Sequence, residues 1–155
     1  MTMVGIVCES NRGKQIMDKA GMLGILDECG ISYECFFSSE EGAIREWCKK
    51  AQSRGVKIFL VVISNEEVLD PSTHILVADA TNNLAPVICV PLDLSNLIWA
   101  VNSGWYIAVP GFAETGLKNA AVLAAQILGL DGDMTGMLIK QKLASRETKR
   151  KEKGV

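Results

Sequence analysis

The residues able to do chemistry in this chain fall in three short polar stretches: Glu9-Ser10-Asn11-Arg12-Gly13, Ser38-Ser39-Glu40-Glu41, and Ser64-Asn65-Glu66-Glu67 with Asp70 just beyond. In the first, hydroxyl, amide and guanidinium donors, with Lys14, stand where an apolar run gives way to helical spacing. Unpaired backbone N–H groups and the helix dipole favour a phosphate at such a junction, so Ser10, Asn11, Arg12 and Gly13 are candidate anion ligands. Neither G-x-x-x-x-G-K-[ST] nor G-x-G-x-x-G is present, and an ordinary strand-to-helix turn with solvated charges is the competing reading. Glu9, Glu40, Glu41, Glu66, Glu67 and Asp70 would crowd one rim, a field opposed to a phosphorylated carboxylate unless a cation is present. Acidic residues also serve the first turns of helices, and Ser38 with Glu41 and Ser64 with Glu67 both have capping-box spacing. For proton transfer the candidates are Glu40 and the single His74. Histidine titrates near neutrality, whereas a glutamate carboxylate, with a reference pKa of about 4.3, is a usable base and a poor acid. A lone histidine near a helix start is expected to be solvated.

The elements that must position these stretches alternate. Apolar runs at 4–8, 31–37, 58–63, 87–90 and 105–109 read as strands; the third, apolar throughout, is expected to be buried on both faces. Between them, Ile16, Met17, Ala20, Leu23 and Leu26 recur at helical spacing up to Gly30, and Ile44, Trp47, Cys48 and Ala51 mark a second helix. Asp70-Pro71 offers a start for a helix through 75–80, residues 94–101 a short one, and Leu117, Ala120, Ala121, Ala124, Ile127 and Leu128 a long one closed by Gly129. A last helix begins near Asp131 and carries Met134, Met137, Leu138 and Leu143. This alternation predicts an α/β fold: a three-layer, doubly wound parallel sheet of five strands with an extra C-terminal helix. Ligands of such sheets sit beyond the carboxyl ends of the strands where strand order reverses, which places the three polar loops around one crevice.

A chain of 155 residues fits one domain, read here as 1–144 with a charged tail at 145–155. With 48% hydrophobic and 22% charged residues it is not a disordered composition, and a net charge of −2 gives no basic field to invite nucleic acid. No apolar run approaches a membrane span and no leader pattern opens the chain, so a cytoplasmic protein without a membrane partner is expected. The five cysteines lack C-x-x-C spacing and with one histidine make a poor zinc set, so neither metal nor cofactor is expected, and Cys8 reads as a small core residue.

In the three loops, in Pro86-Val87-Ile88-Cys89-Val90-Pro91 and in the alanine-rich 116–128, the chain resembles the PurE family, carboxyaminoimidazole ribonucleotide mutases and aminoimidazole ribonucleotide carboxylases of purine synthesis. The resemblance covers about 4–142. It implies a flavodoxin-like (Rossmann-like) fold, a homo-octamer, a last helix packed on neighbouring subunits and a small ribonucleotide-like ligand. Of the family's first motif, G-S-x-S-D, only Ser10 is kept; of its second, S-A-H-[RK], only Ser38, with Glu40 where the histidine moves a proton. Ser64-Asn65 matches the S-N of the carboxylase segment R-S-N-G. The resemblance therefore implies that Ser10, Ser38, Ser64 and Asn65 hold phosphate, ribose or carboxylate, and Ser39, beside Ser38, is a further candidate for binding the ligand. Two functions follow: a lyase or mutase acting on aminoimidazole ribonucleotide with a non-standard site, or an impaired paralogue that binds another phosphorylated ligand or serves in assembly or regulation.

Overall fold

The computed structural model describes residues 2–64, 73–101 and 107–154. β-Branched residues dominate its strands, whose pleated backbone they fit. β1 (Val4–Cys8) and β3 (Ile58–Ile63) are buried along their whole length. β2 (Tyr33–Phe37) is half-buried, β4 (Val87–Pro91) is buried, and β5 is the short Ile107–Ala108. All pairings are parallel in the order β2-β1-β3-β4-β5, the flavodoxin-like arrangement in which the chain leaves β1 first to one side and then to the other. Cys8 stands opposite both Phe37 and Val62, so the carboxyl ends of β1, β2 and β3 open at one level.

Alternate strand residues feed two cores. Ile6, Leu60, Val62, Ile88 and Val90 pack with Met17 of α1 (Asn11–Lys19), Leu26 of α2 (Met22–Glu28) and Leu117, Ala121 and Ala124 of α6 (Ala113–Leu128). Val7, Phe59, Val61, Ile63 and Cys89 pack with Ile44 and Cys48 of α3 (Glu41–Ser53) and Val77 of α4 (Thr73–Ala80). α5 (Leu94–Val101) follows β4. Gly5 is required by the second core: a Cβ there would lie 3.1 Å from both Phe59 and Trp47, and Trp47 is stacked on Phe36 and edge-on to Phe59.

The first helical stretch is broken in two, because Gly21 adopts φ 77° and re-aims the chain between α1 and α2. The start of α3 lacks the expected box: its N-cap is Glu40, and the Ser38 hydroxyl accepts from the Glu40 N–H instead. The last helix, α7 (Met134–Glu152), continues well past Ser145, where its mixed charge had read as a tail. That charge pairs within and beside the helix, Arg146 with Glu28 and Glu147, and Arg150 with Glu147. α7 buries Ile139 but leaves Met134 78% and Met137 57% exposed. Among the described residues, no helix is long and apolar enough to cross a membrane.

Candidate functional site

β1 delivers its loop to α1 through a serine cap. Ser10 is extended (φ −143°, ψ 157°) and its Oγ accepts the Gly13 N–H at 3.1 Å, satisfying one of the donors orphaned at the helix start. The same Oγ lies against the Ser64 hydroxyl at the end of β3, a direct contact across the point where strand order reverses. Gly13 makes this approach possible, since its Cα faces the Cys8 thiol and the Ser64 hydroxyl with no room for a side chain between them. Cys8 donates its thiol to the Ser10 carbonyl at 3.3 Å. Burial pushes that thiol's pKa up, against the lowering effect of the hydrogen bond, so Cys8 stays protonated and is a packing residue, not a nucleophile.

Glu9 ties the loops together from within. One carboxylate oxygen accepts the Ser64 N–H at 3.0 Å, the other the Thr73 hydroxyl at 2.6 Å at the start of α4. It is half-buried and turned into the crevice, not part of an outer rim. Arg12 forks onto Asp93, beyond β4, through two bonds of 2.8 and 2.9 Å. The Asn96 amide also reaches Asp93, at 3.4 Å, and Asn96 is buried. The crevice is thus bounded on one side by Ser10, Gly13, Ser64 and Glu9 and latched towards β4 by Arg12.

The second loop sits beside this group, because the Ser38 N–H donates to the Cys8 carbonyl at 3.1 Å. Ser38 is half-buried, whereas Asn11, Ser39, Glu40 and Glu41 are exposed, Glu41 facing Arg45. Asn65, Glu66, Glu67 and Asp70 lie outside the described residues. The expectation of a solvated His74 is overturned: it sits in the first turn of α4 and is fully buried, since Thr73 is drawn inward by Glu9 and carries the helix start into the molecule. Among the described residues, no cluster of three or more His, Cys, Asp or Glu could hold a metal ion.

The sequence reading missed three contributors. Glu9 was counted as rim charge, and Thr73 and Asp93 were not singled out. Asp93 had a local signal, an acidic residue directly before the apolar start of a helix after Pro91. Thr73 had none, since its partner is 64 residues away.

No family model matches the chain. An N5-carboxyaminoimidazole ribonucleotide mutase of Pyrococcus horikoshii is 30% identical over 137 residues, 83% of this chain and 73% of that protein. The mutase of Thermotoga maritima is 31% identical over 139 residues, 84% of this chain and 77% of its own length. Among solved structures, Treponema denticola PurE superposes with a TM-score of 0.73 at 18% identity, covering 99% of this chain and 94% of that one.

Proposed function

We propose, from the premise that this chain belongs to the N5-carboxyaminoimidazole ribonucleotide mutase (PurE) family, that it binds an aminoimidazole ribonucleotide at the ends of β1, β2 and β3. Its carboxyl-shifting chemistry is then limited by a non-standard proton-transfer position. The observation that carries the binding is the convergence of the Ser10 and Ser64 hydroxyls and the first-turn amides of α1 at the reversal of strand order. Ser10, Ser38, Ser64 and, by its match in the sequence, Asn65, with Asn11 and the Gly13 amide, are assigned to phosphate, ribose or carboxylate, and Ser39 is a further candidate contact. Arg12, whose guanidinium forks onto Asp93, closes the crevice in this reading and meets the phosphate only if that fork opens.

The exposed position of Glu40 supports slow turnover. Moving a carboxyl group on the imidazole requires a proton to leave and return at a ring carbon, and burial is what would keep a carboxyl group protonated for the return step. Glu40 is open to water at the start of α3. His74 is the alternative shuttle, fully buried in the first turn of α4 next to Thr73 in sequence. The protein is also proposed to be cytoplasmic and to assemble as a homo-octamer through the apolar side of α7.

Calorimetry and turnover assays test this directly. Saturable binding of aminoimidazole ribonucleotide, little binding of common nucleotides and no interconversion of the carboxylated forms above background are expected, with activity gained in Glu40→His. Enzymatic rates in the parent, abolished by His74→Ala or Glu40→Gln, would show a working substitute shuttle and refute the impaired site.

A further inference from the structure

The C-terminal half of α7 carries a charge unlike that of the rest of the molecule. Residues 140–153 hold seven Lys and Arg against two Glu, which leaves nine basic and sixteen acidic residues to the remainder of the chain. Lys142, Arg146, Lys149 and Lys153 follow one another at helical spacing and, with Arg150, form one wall of a groove of about 660 Å³ beside Glu28 at the end of α2. Two of these cations are oriented in advance. Glu147 accepts Arg146 Nη1 at 3.0 Å on one oxygen and Arg150 Nε at 2.8 Å on the other, and Arg146 Nε also reaches Glu28 at 3.1 Å. A guanidinium has five N–H donors, so both arginines keep donors beyond these bonds. Lys142 lies across the end of α2, its Nζ 2.6 Å from where a Cβ on Gly30 would stand, so the glycine is what lets the ammonium settle there. Among the described residues, Lys142, Lys149 and Lys153 join no ion pair. The helix dipole accounts for cations in the last turn, Lys149 to Lys151, but not for Lys142 and Arg146 ahead of it.

We propose that this groove is an oligophosphate site, binding a small anion of three or more linked phosphates, free or carried by a nucleoside. The cations are spread over about three turns of helix, roughly 16 Å, so a single phosphate meets one or two of them, whereas linked phosphates meet several at once. A polyanion much longer than the groove, such as a nucleic-acid strand, would run onto the acidic remainder of the chain, which opposes it. The site is separate from the crevice and rests on none of its assignments, since α2 ends ahead of β2 and the crevice opens after it.

Calorimetry on the full chain with inorganic tripolyphosphate tests this. Tripolyphosphate is expected to bind at least about tenfold more tightly than orthophosphate, and more weakly as sodium chloride is raised. Lys142→Gln/Lys149→Gln removes two charges that no ion pair uses; it is expected to melt with the parent and to lose about tenfold in tripolyphosphate affinity. Lys19→Gln/Lys49→Gln makes the same change of net charge on exposed side chains of α1 and α3 and is expected to keep the parent's affinity. Adenosine triphosphate separates the two sources of the anion. Affinity equal to or below that of tripolyphosphate assigns the site to the bare phosphate chain, and a tighter fit that Lys142→Gln/Lys149→Gln abolishes assigns it to a nucleotide. No tripolyphosphate binding, binding that survives the groove variant and so lies elsewhere, the crevice included, or binding that falls equally in the control variant overturns the inference. A single-stranded RNA that occupies the groove more tightly than tripolyphosphate overturns it too.

Discussion

Gly13→Ala isolates the close approach on which the crevice is built. Gly13 lies within α1, where alanine is ordinarily the better residue by about 0.8–1 kcal/mol. An alanine Cβ here would be pressed against the Cys8 sulfur and lie 2.7 Å from the Ser64 hydroxyl oxygen, approaches that real Cβ atoms essentially never show. Neither neighbour is the far end of a flexible chain; both are short side chains on buried strand ends, so relief requires α1 to move out. Such overpacking costs about 1–3 kcal/mol. Loosening the bond from the Gly13 N–H to the Ser10 cap adds up to about 1 kcal/mol. With the helix gain subtracted, the net loss is anything up to about 3 kcal/mol, or a fall in melting temperature of up to roughly 10 °C for a domain of this size. Thermal and urea unfolding of Gly13→Ala, Cys8→Ala and the double variant measure it. The double variant is expected to recover part of the loss, because removing the sulfur makes room for the methyl group. A melting temperature for Gly13→Ala a few degrees above the parent's, the bare helix-propensity result, would refute the argument.

Other expectations concern the rest of the molecule. Met134→Glu is expected to lower the assembly state seen by light scattering while leaving the circular dichroism of the subunit unchanged, because that side chain is 78% exposed on α7. Arg12→Met should change stability by no more than about 1 kcal/mol, since the guanidinium end of the fork is substantially solvated, but should change phosphate affinity through the freed Asp93 charge, checked by titration with inorganic phosphate. Burial pushes the Cys48 thiol up to about 12, above its value in the unfolded chain. The stabilisation it gives is therefore complete below roughly pH 8.5 and is lost as pH rises towards the folded value; urea melts from pH 8 to 10.5 should show that decline, shallower in Cys48→Ala.

The sheet was legible because its signals are local. Residues 58–63 are apolar at every position, as a strand covered on both faces must be, and Ile44, Trp47, Cys48 and Ala51 repeat at helical spacing. The break at Gly21 was hidden by apolar spacing that runs across it, and only the left-handed conformation of that glycine reveals it. The site divides in the same way. Ser10 is marked by its place between a strand and a helix, and the structure finds it capping α1. The partners of Glu9, Arg12 and Ser10 lie on other elements, and no spacing in the sequence ties Thr73 to Glu9 or Asp93 to Arg12. Burial of His74 was misread because a single histidine carries no periodicity of its own.

The two tethers of the β1–α1 loop also bear on the order in which the molecule assembles. Glu9 closes onto Ser64 over 55 positions and Arg12 onto Asp93 over 81, so both belong to the most non-local interactions of the chain. Closing such loops costs entropy that only later contacts repay. The β1–β2 pairing can form while these ends are apart, but the crevice cannot take shape until β4 and the start of α5 are in place. The crevice is thus a late product of folding and an early loss on unfolding, and a ligand that bridged Ser10 and Ser64 would act mainly by slowing the opening of the native state.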